Sequence, residues 1–198
     1  MQAPYATNEP ECVPSVPDGF RYIPNALTSE EESKLRTDCA AIPDWFDTAG
    51  RSASFSGRLA CYGFPFAKPG WRVKPSGPFP PWLLDCRLAC GRLTGIPIRQ
   101  TEQALVTDYT PGACLSAHFD ARVFEEHVIA VSLGADSVVE FTRNGMDRIH
   151  VPIAARSIYI LAGSARFDWK HAILPLRQQR ISITFRSIHP LALALEDR

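Results

Sequence analysis

Hydrophobic positions change their spacing near residue 100. Before it, two segments carry helical marks. Thr28-Ser29-Glu30-Glu31 is a capping box, and Leu35, Cys39 and Ile42 fall on one stripe behind it, predicting a helix to about residue 41. Pro80-Pro81 opens a second helix, running through Trp82, Leu83, Cys86 and Leu93 and stopping near Gly95. Residues 43–80 mix Pro, Gly and Ser with aromatics, which predicts short strands and long loops. From 101 onward the runs are short and apolar: 104–109, 128–133, 137–142, 149–153, 157–161 and 181–188. Pro111-Gly112, Gly134, Asn144-Gly145 and Gly163 punctuate them, and Asn144-Gly145 reads as a hairpin turn. Short strands at this spacing predict a sandwich or barrel. The expected class is α+β, mainly β. Residues 1–17 are rich in proline and read as an extended arm, and 18–198 as one domain, with a helical cover over 18–100 and a β core over 101–190.

Composition narrows the class. The chain has 198 residues, 45% hydrophobic and 21% charged, which suits one large globular domain rather than a disordered chain. No stretch approaches the roughly 18 apolar residues of a membrane span, so no membrane association is expected. The N-terminus lacks the basic and apolar regions of a secretory signal, and the six cysteines include no CxxC pair. A reduced, cytoplasmic or nuclear monomer is expected, not a secreted protein. The net charge of zero conceals segregation. Residues 51–99 hold Arg51, Arg58, Lys68, Arg72, Lys74, Arg87, Arg92 and Arg99 against the single acid Asp85. Tyr62, Phe64, Phe66 and Trp71 lie among them. Cations interleaved with aromatics suit a polyanion with bases that stack. The alternative is a solvated surface that the fold spreads over several faces.

The chemistry lies further on. His118 and Asp120 project to one side if their segment is a strand. With His171 they make two histidines and one carboxylate, the donor set of a non-haem Fe(II) site that leaves positions open for cosubstrate and oxygen. In 180–186, Ile181, Ile183 and Phe185 share one face, and Arg180, Ser182, Thr184 and Arg186 share the other. Two arginines on an inward face suit a small dicarboxylate.

The chain from Thr101 to Ile188 resembles the AlkB-like Fe(II)/2-oxoglutarate dioxygenases. The matching pieces are Tyr109-Thr110-Pro111-Gly112, His118-x-Asp120, Val131-Ser132-Leu133-Gly134, Gly163-Ser164-Ala165-Arg166 before His171, and Arg180 through Arg186. Residues 18–100 match more loosely, through Arg58 and Tyr62-Gly63. The resemblance implies a double-stranded β-helix, or jelly roll, under an N-terminal nucleotide-recognition lid. It implies that His118, Asp120 and His171 bind Fe(II), that Arg180 pairs with the distal carboxylate of 2-oxoglutarate, and that Tyr109, Thr107, Ser182 and Arg186 complete that cosubstrate's site. Relatives usually carry Asn where this chain has Thr107. With O₂, such enzymes convert 2-oxoglutarate to succinate and hydroxylate a C–H bond; an N-methyl group then leaves as formaldehyde. The substrate would be a modified base in RNA or single-stranded DNA, met by Arg58, Tyr62, Trp71 and Arg122. Arg122 stands where repair relatives often carry an acid, which disfavours cationic methylated bases. Phe124-Glu125-Glu126 looks most like the branch acting on a modified wobble uridine of tRNA. A protein substrate, or a non-catalytic binding jelly roll, are the competing expectations.

Overall fold

A computed structural model describes residues 16–47, 55, 57–68, 71–73, 77–97, 101–144 and 148–189. The expected arm lies almost wholly outside them. The elements are β1 (Phe20–Ile23), α1 (Ser29–Ala40), β2 (Phe46–Asp47), β3 (Gly57–Gly63), β4 (Phe66–Lys68), β5 (Trp71–Val73), α2 (Pro81–Thr94), β6 (Gln103–Tyr109), β7 (Leu115–His118), β8 (Phe124–Gly134), β9 (Ser137–Thr142), β10 (Ile149–Ile153), β11 (Ser157–Leu161), α3 (Gly163–Phe167), β12 (Lys170–Ile173) and β13 (Arg180–Ile188).

Both long helices begin and end where their caps dictate. Thr28 accepts from the Glu31 N–H at 3.1 Å while the Glu31 carboxylate accepts from the Thr28 N–H at 2.7 Å, closing the capping box of α1. In α2, Pro81 opens the first turn and Gly95, at φ +75°, takes the left-handed C-cap that a residue with a Cβ resists. The buried stripe of α2 is Leu83, Cys86, Cys90 and Thr94. Leu93, on the same helix, is exposed, because it sits about 100° round the helix from Thr94.

The strands form a major sheet in the order β1-β11-β8-β13-β6-β3-β2 and a minor sheet in the order β10-β9-β12-β7, with β4 and β5 paired apart from both. This is the jelly-roll arrangement. Period-2 alternation divides the major sheet between two cores. Ala60, Val106, Val131, Ile183 and Phe185 face the helices, where they meet Leu35, Cys39 and Leu83. Leu59, Leu105, Ala130 and Tyr159 face the minor sheet, where they meet Val139, Phe141 and Ile173. The β9–β10 hairpin forms as expected, with Ile149 opposite Phe141, although Gly145 lies outside the described residues. β1 comes from the segment read as a helical cover and β3 from the stretch expected to hold short strands, and both are strands of the major sheet. Among the described residues, no helix is long and apolar enough to cross a membrane.

Candidate metal centre

A cavity of about 330 Å³ opens between the sheets. β7 and β12 run antiparallel with His118 directly opposite His171, so one backbone register sets both imidazoles side by side, ring centroids 4.4 Å apart. Asp120 follows two residues after the end of β7 and returns its carboxylate to the same point. One ligand atom from each of His118, Asp120 and His171 lies within 4.8 Å of the other two. His118 is half-buried, and the other two are buried.

The donors are in the forms a metal needs. His118 Nδ1 lies 2.8 Å from the Ser116 carbonyl oxygen. A carbonyl only accepts, so Nδ1 carries the proton and Nε2 keeps its lone pair when the ring is neutral. Burial, then the proximity of His118, pushes His171 down to about 3, so its imidazole is neutral at ordinary pH. Burial would raise the Asp120 carboxyl, but Arg186 foremost, with His171, His118 and Arg166, outweighs that and holds it well below the usual carboxylate range. Arg186 Nη2 reaches Asp120 Oδ1 at 3.1 Å, while Asp120 Oδ2 has no hydrogen-bond partner. One oxygen is fixed by the protein and the other is left for a ligand. Two imidazoles and a carboxylate with an uncommitted oxygen fit Fe(II).

The arginine strand also fits a dicarboxylate. Ser182, Thr184 and Arg186 line the cavity from β13, beside Thr107 and Tyr109 of β6. Arg180 shares their face and is fully buried. Its Nε donates to Ser132 Oγ at 3.0 Å, and its Nη1 and Nη2 make no hydrogen bond. Two uncommitted guanidinium nitrogens inside a core ask for a bidentate anion. Burial pushes the Tyr109 phenol up to about 12, so it stays a donor there.

The residues expected to meet the substrate are distributed differently. Arg58 and Tyr62 alternate with Leu59 and Cys61 on β3, and the register turns them toward the helices, not the cavity. Tyr62 is buried in the helix-side core. Arg58 binds Asp108 at 2.6 Å and lies over the Trp45 ring at 4.5 Å. Arg122 is exposed and is not part of the cavity wall. Trp71 belongs to β5, and its side chain lies outside the described residues. Two residues were given no role from the sequence. Arg166 of α3 is buried and donates to the carbonyls of Asp120, Ala121 and Phe124, pinning the turn that carries Asp120. Phe119, between two of the three donors, is 46% exposed and walls the cavity.

Known proteins share this architecture. A family model for the 2OG-Fe(II) oxygenase superfamily matches residues 68–186. The tRNA (carboxymethyluridine(34)-5-O)-methyltransferase alkbh8 of Xenopus tropicalis is 28% identical over 86% of this chain, and this match spans 27% of that protein. The RNA demethylase ALKBH5 of Xenopus tropicalis is 27% identical over 74% of this chain, spanning 46% of its own length. An uncharacterized protein, L905, of Acanthamoeba polyphaga mimivirus is 36% identical over 46% of this chain and 50% of its own. The chain therefore spans between about a quarter and a half of these relatives. In fold, it is similar to OsALKBH1 (TM-score 0.64, 17% identity, 85% of this chain and 98% of that one). It is also similar to a Pseudomonas putida prolyl-4-hydroxylase (TM-score 0.57, 14% identity, 86% and 93%).

Proposed function

The chain belongs to the 2OG-Fe(II) oxygenase superfamily, as an AlkB-like dioxygenase using Fe(II), 2-oxoglutarate and O₂, and from that premise we propose that it oxidises a neutral modified base, a substituted uridine foremost, in single-stranded or loop RNA. Bound together, iron, cosubstrate and oxygen supply the oxidation of a C–H bond: 2-oxoglutarate becomes succinate and CO₂, and one oxygen atom enters the substrate.

In this reading the protein's own residues do the rest. His118, Asp120 and His171 hold the metal on one face. Arg180 takes the distal carboxylate of 2-oxoglutarate on its two uncommitted nitrogens, and Tyr109, Thr107 and Ser182 lie along the same cavity wall. Arg186 holds Asp120 ionised, so the metal always meets a carboxylate. The apolar cavity walls, Leu105, Leu115, Val128 and Ile173 among them, keep water from the metal. A domain over 18–198, with 18–100 supplying the cover and nucleotide-recognition lid, is part of the same proposal, as is a cytoplasmic or nuclear monomer.

One observation carries the choice of a neutral base. Among the described residues that line the cavity, Asp120 is the only acid, and Arg186 already faces it. A cationic methylated base would enter without a counter-charge. This argument replaces the one from Arg122, which the structure puts on the surface. RNA is favoured over a protein substrate by the relatives' names, a tRNA methyltransferase and an RNA demethylase.

Purified protein with Fe(II) and 2-oxoglutarate is incubated with tRNA bearing substituted wobble uridines and with single strands bearing 1-methyladenine or 3-methylcytosine. Succinate and the digested nucleosides are read by mass spectrometry. The expected result is one oxygen gained on a uridine. Efficient demethylation of the cationic bases instead would overturn the neutral-base reading. Arg122→Glu should not change the preference.

A further inference from the structure

The donor cluster has an outer edge that neither metal nor cosubstrate uses. His118 and His171 are cross-strand partners. In an antiparallel ladder, one step outward along each strand brings the next two residues together. Those residues are Phe119 and Lys170, and the Lys170 ammonium lies 6.0 Å from the centre of the Phe119 ring. Both are exposed. β7 ends at His118, which frees Phe119 from strict alternation, and its ring lines the cavity while 46% of the residue faces solvent. Among the described residues most phenylalanines are buried or half-buried by packing, Phe55, Phe124, Phe141 and Phe185 almost completely, and Phe167 is the other exposed one. Lys170 makes no ion pair among the described residues. An exposed aromatic ring, with over it an ammonium that makes no ion pair among the described residues, therefore stands at the mouth, next to the metal donors.

A nucleotide has the matching parts: a flat ring, and an anion held at a sugar's length from it. Aromatic side chains bind unpaired bases by stacking, without regard to sequence, and ammonium groups bind phosphate as point charges. A base stacked on Phe119 would carry its substituents past His118 toward the metal. A protein side chain reaching the metal offers one such group and no phosphate beside it.

We propose, on the reading of the protein as an RNA-base oxygenase, that Phe119 and Lys170 form the clamp that presents the target nucleotide: the base stacks on the Phe119 ring, and Lys170 neutralises a flanking phosphate. The spacer residue of the His-x-Asp motif is then a substrate-binding residue. The clamp orders the unpaired strand at the cavity mouth and leaves the deep part of the cavity to the cosubstrate.

The test uses a short single-stranded RNA containing 2-aminopurine, whose fluorescence falls when the base stacks. Binding to the metal-loaded protein is followed by anisotropy, and stacking by that fluorescence. Phe119→Ala should weaken binding about tenfold and abolish the quenching, whereas Phe119→Tyr, which keeps the ring, should preserve both. Lys170→Ala should make the slope of log K against log salt shallower by about 0.7, the loss of one phosphate contact on a single strand. Equal binding and quenching by wild type and Phe119→Ala would overturn the stacking role, and an unchanged salt slope in Lys170→Ala would overturn the phosphate role. If wild type ignores the RNA while still forming succinate from 2-oxoglutarate, the RNA reading itself fails and the clamp falls with it.

Discussion

Arg186 Nη2 stands 3.1 Å from Asp120 Oδ1, joining the last strand of the major sheet to the carboxylate of the donor cluster. Gln103 Oε1 accepts from Arg186 Nη1 at 3.1 Å, and the guanidinium lies 4.8 Å from the centre of the Phe124 ring. The guanidinium is thus held on several sides, and it fixes Asp120 in turn. Arg186→Leu should weaken metal binding about 10- to 100-fold, the usual cost of losing a group that orients a ligand. Without the guanidinium, burial pushes Asp120 toward its protonated form, so the deficit should grow as pH falls. Anaerobic titration with Fe(II) or Co(II) at two pH values reads both effects. Affinity equal to wild type at both would refute the linkage.

Arg180 has a different task. It touches none of the metal donors, and its Nη1 and Nη2 are the unspent ones. A hydrogen bond to a charged group is worth about 1.5–3 kcal/mol, so losing two predicts at least a hundredfold weaker binding of 2-oxoglutarate. Arg180→Met should show that loss with metal affinity nearly intact, the reverse of Arg186→Leu. Calorimetric titration of 2-oxoglutarate into metal-loaded protein separates the variants. A Kd within threefold of wild type for Arg180→Met would remove the residue from the cosubstrate site.

The helices and the inward arginines were legible because each is a local pattern. The Thr28–Glu31 box and the Pro81–Gly95 pair fix ends within a few residues. The alternation from 180 to 186 sorts its faces whatever its partners. β7 and β12 were not legible. Each has four residues, too few to show a period, and β12 mixes Lys170 and His171 with Ala172 and Ile173. β3 explains the failure for Arg58 and Tyr62. A one-residue change of register exchanges the faces of a strand, and the register of Gly57–Gly63 comes from β6, far along the chain. Arg166 carries no sign of burial in its neighbours. Its environment is three carbonyls more than forty positions away in sequence.

Alkaline pH should find a weak point in the helix-side core. Burial foremost, with nearby Cys86, Asp38 and Asp108, pushes the Cys39 thiol up to about 12 from its ordinary 9.0. Between those values the unfolded chain releases this proton and the folded chain keeps it. The native state then binds more protons, so stability falls as pH rises. Below about 9 both states are protonated and the contribution is intact. At about 1.4 kcal/mol per pH unit, the full span approaches 4 kcal/mol. Cys39→Ala should lose less stability than wild type on going from pH 8 to pH 11, whatever its offset at pH 8. Urea melts at the two pH values check this, and parallel losses in both proteins would refute it.

Arg166 makes the strongest demand on stability. Its side chain crosses from α3 to the turn after Asp120 and is 1% exposed. Nη1 donates to the Asp120 carbonyl at 3.2 Å, and Nη2 to those of Ala121 and Phe124 at 3.0 and 3.2 Å. The charge is close enough to Asp120 to help hold its carboxyl ionised. Arg166→Leu removes every one of these bonds and takes the guanidinium donor from the buried Asp120 and Phe124 carbonyls, at about 1–3 kcal/mol for each that finds no water, while the Ala121 carbonyl keeps the Phe124 N–H. A loss of roughly 3–5 kcal/mol follows, enough to threaten a domain whose whole margin is about 5–15 kcal/mol. Arg166→Lys keeps the charge but reaches fewer of the three acceptors, and it should fall between the two. Because the turn carries Asp120, the damage should be linked to metal. Saturating metal stabilises the folded state by the free energy of binding it, so the gain in melting temperature on adding metal should be smaller in Arg166→Lys than in wild type. Thermal melts of the three proteins, with and without metal, decide it. An Arg166→Lys variant with the wild-type metal gain would make the arginine a structural pin alone, and an Arg166→Leu variant that melts like wild type would dismiss even that.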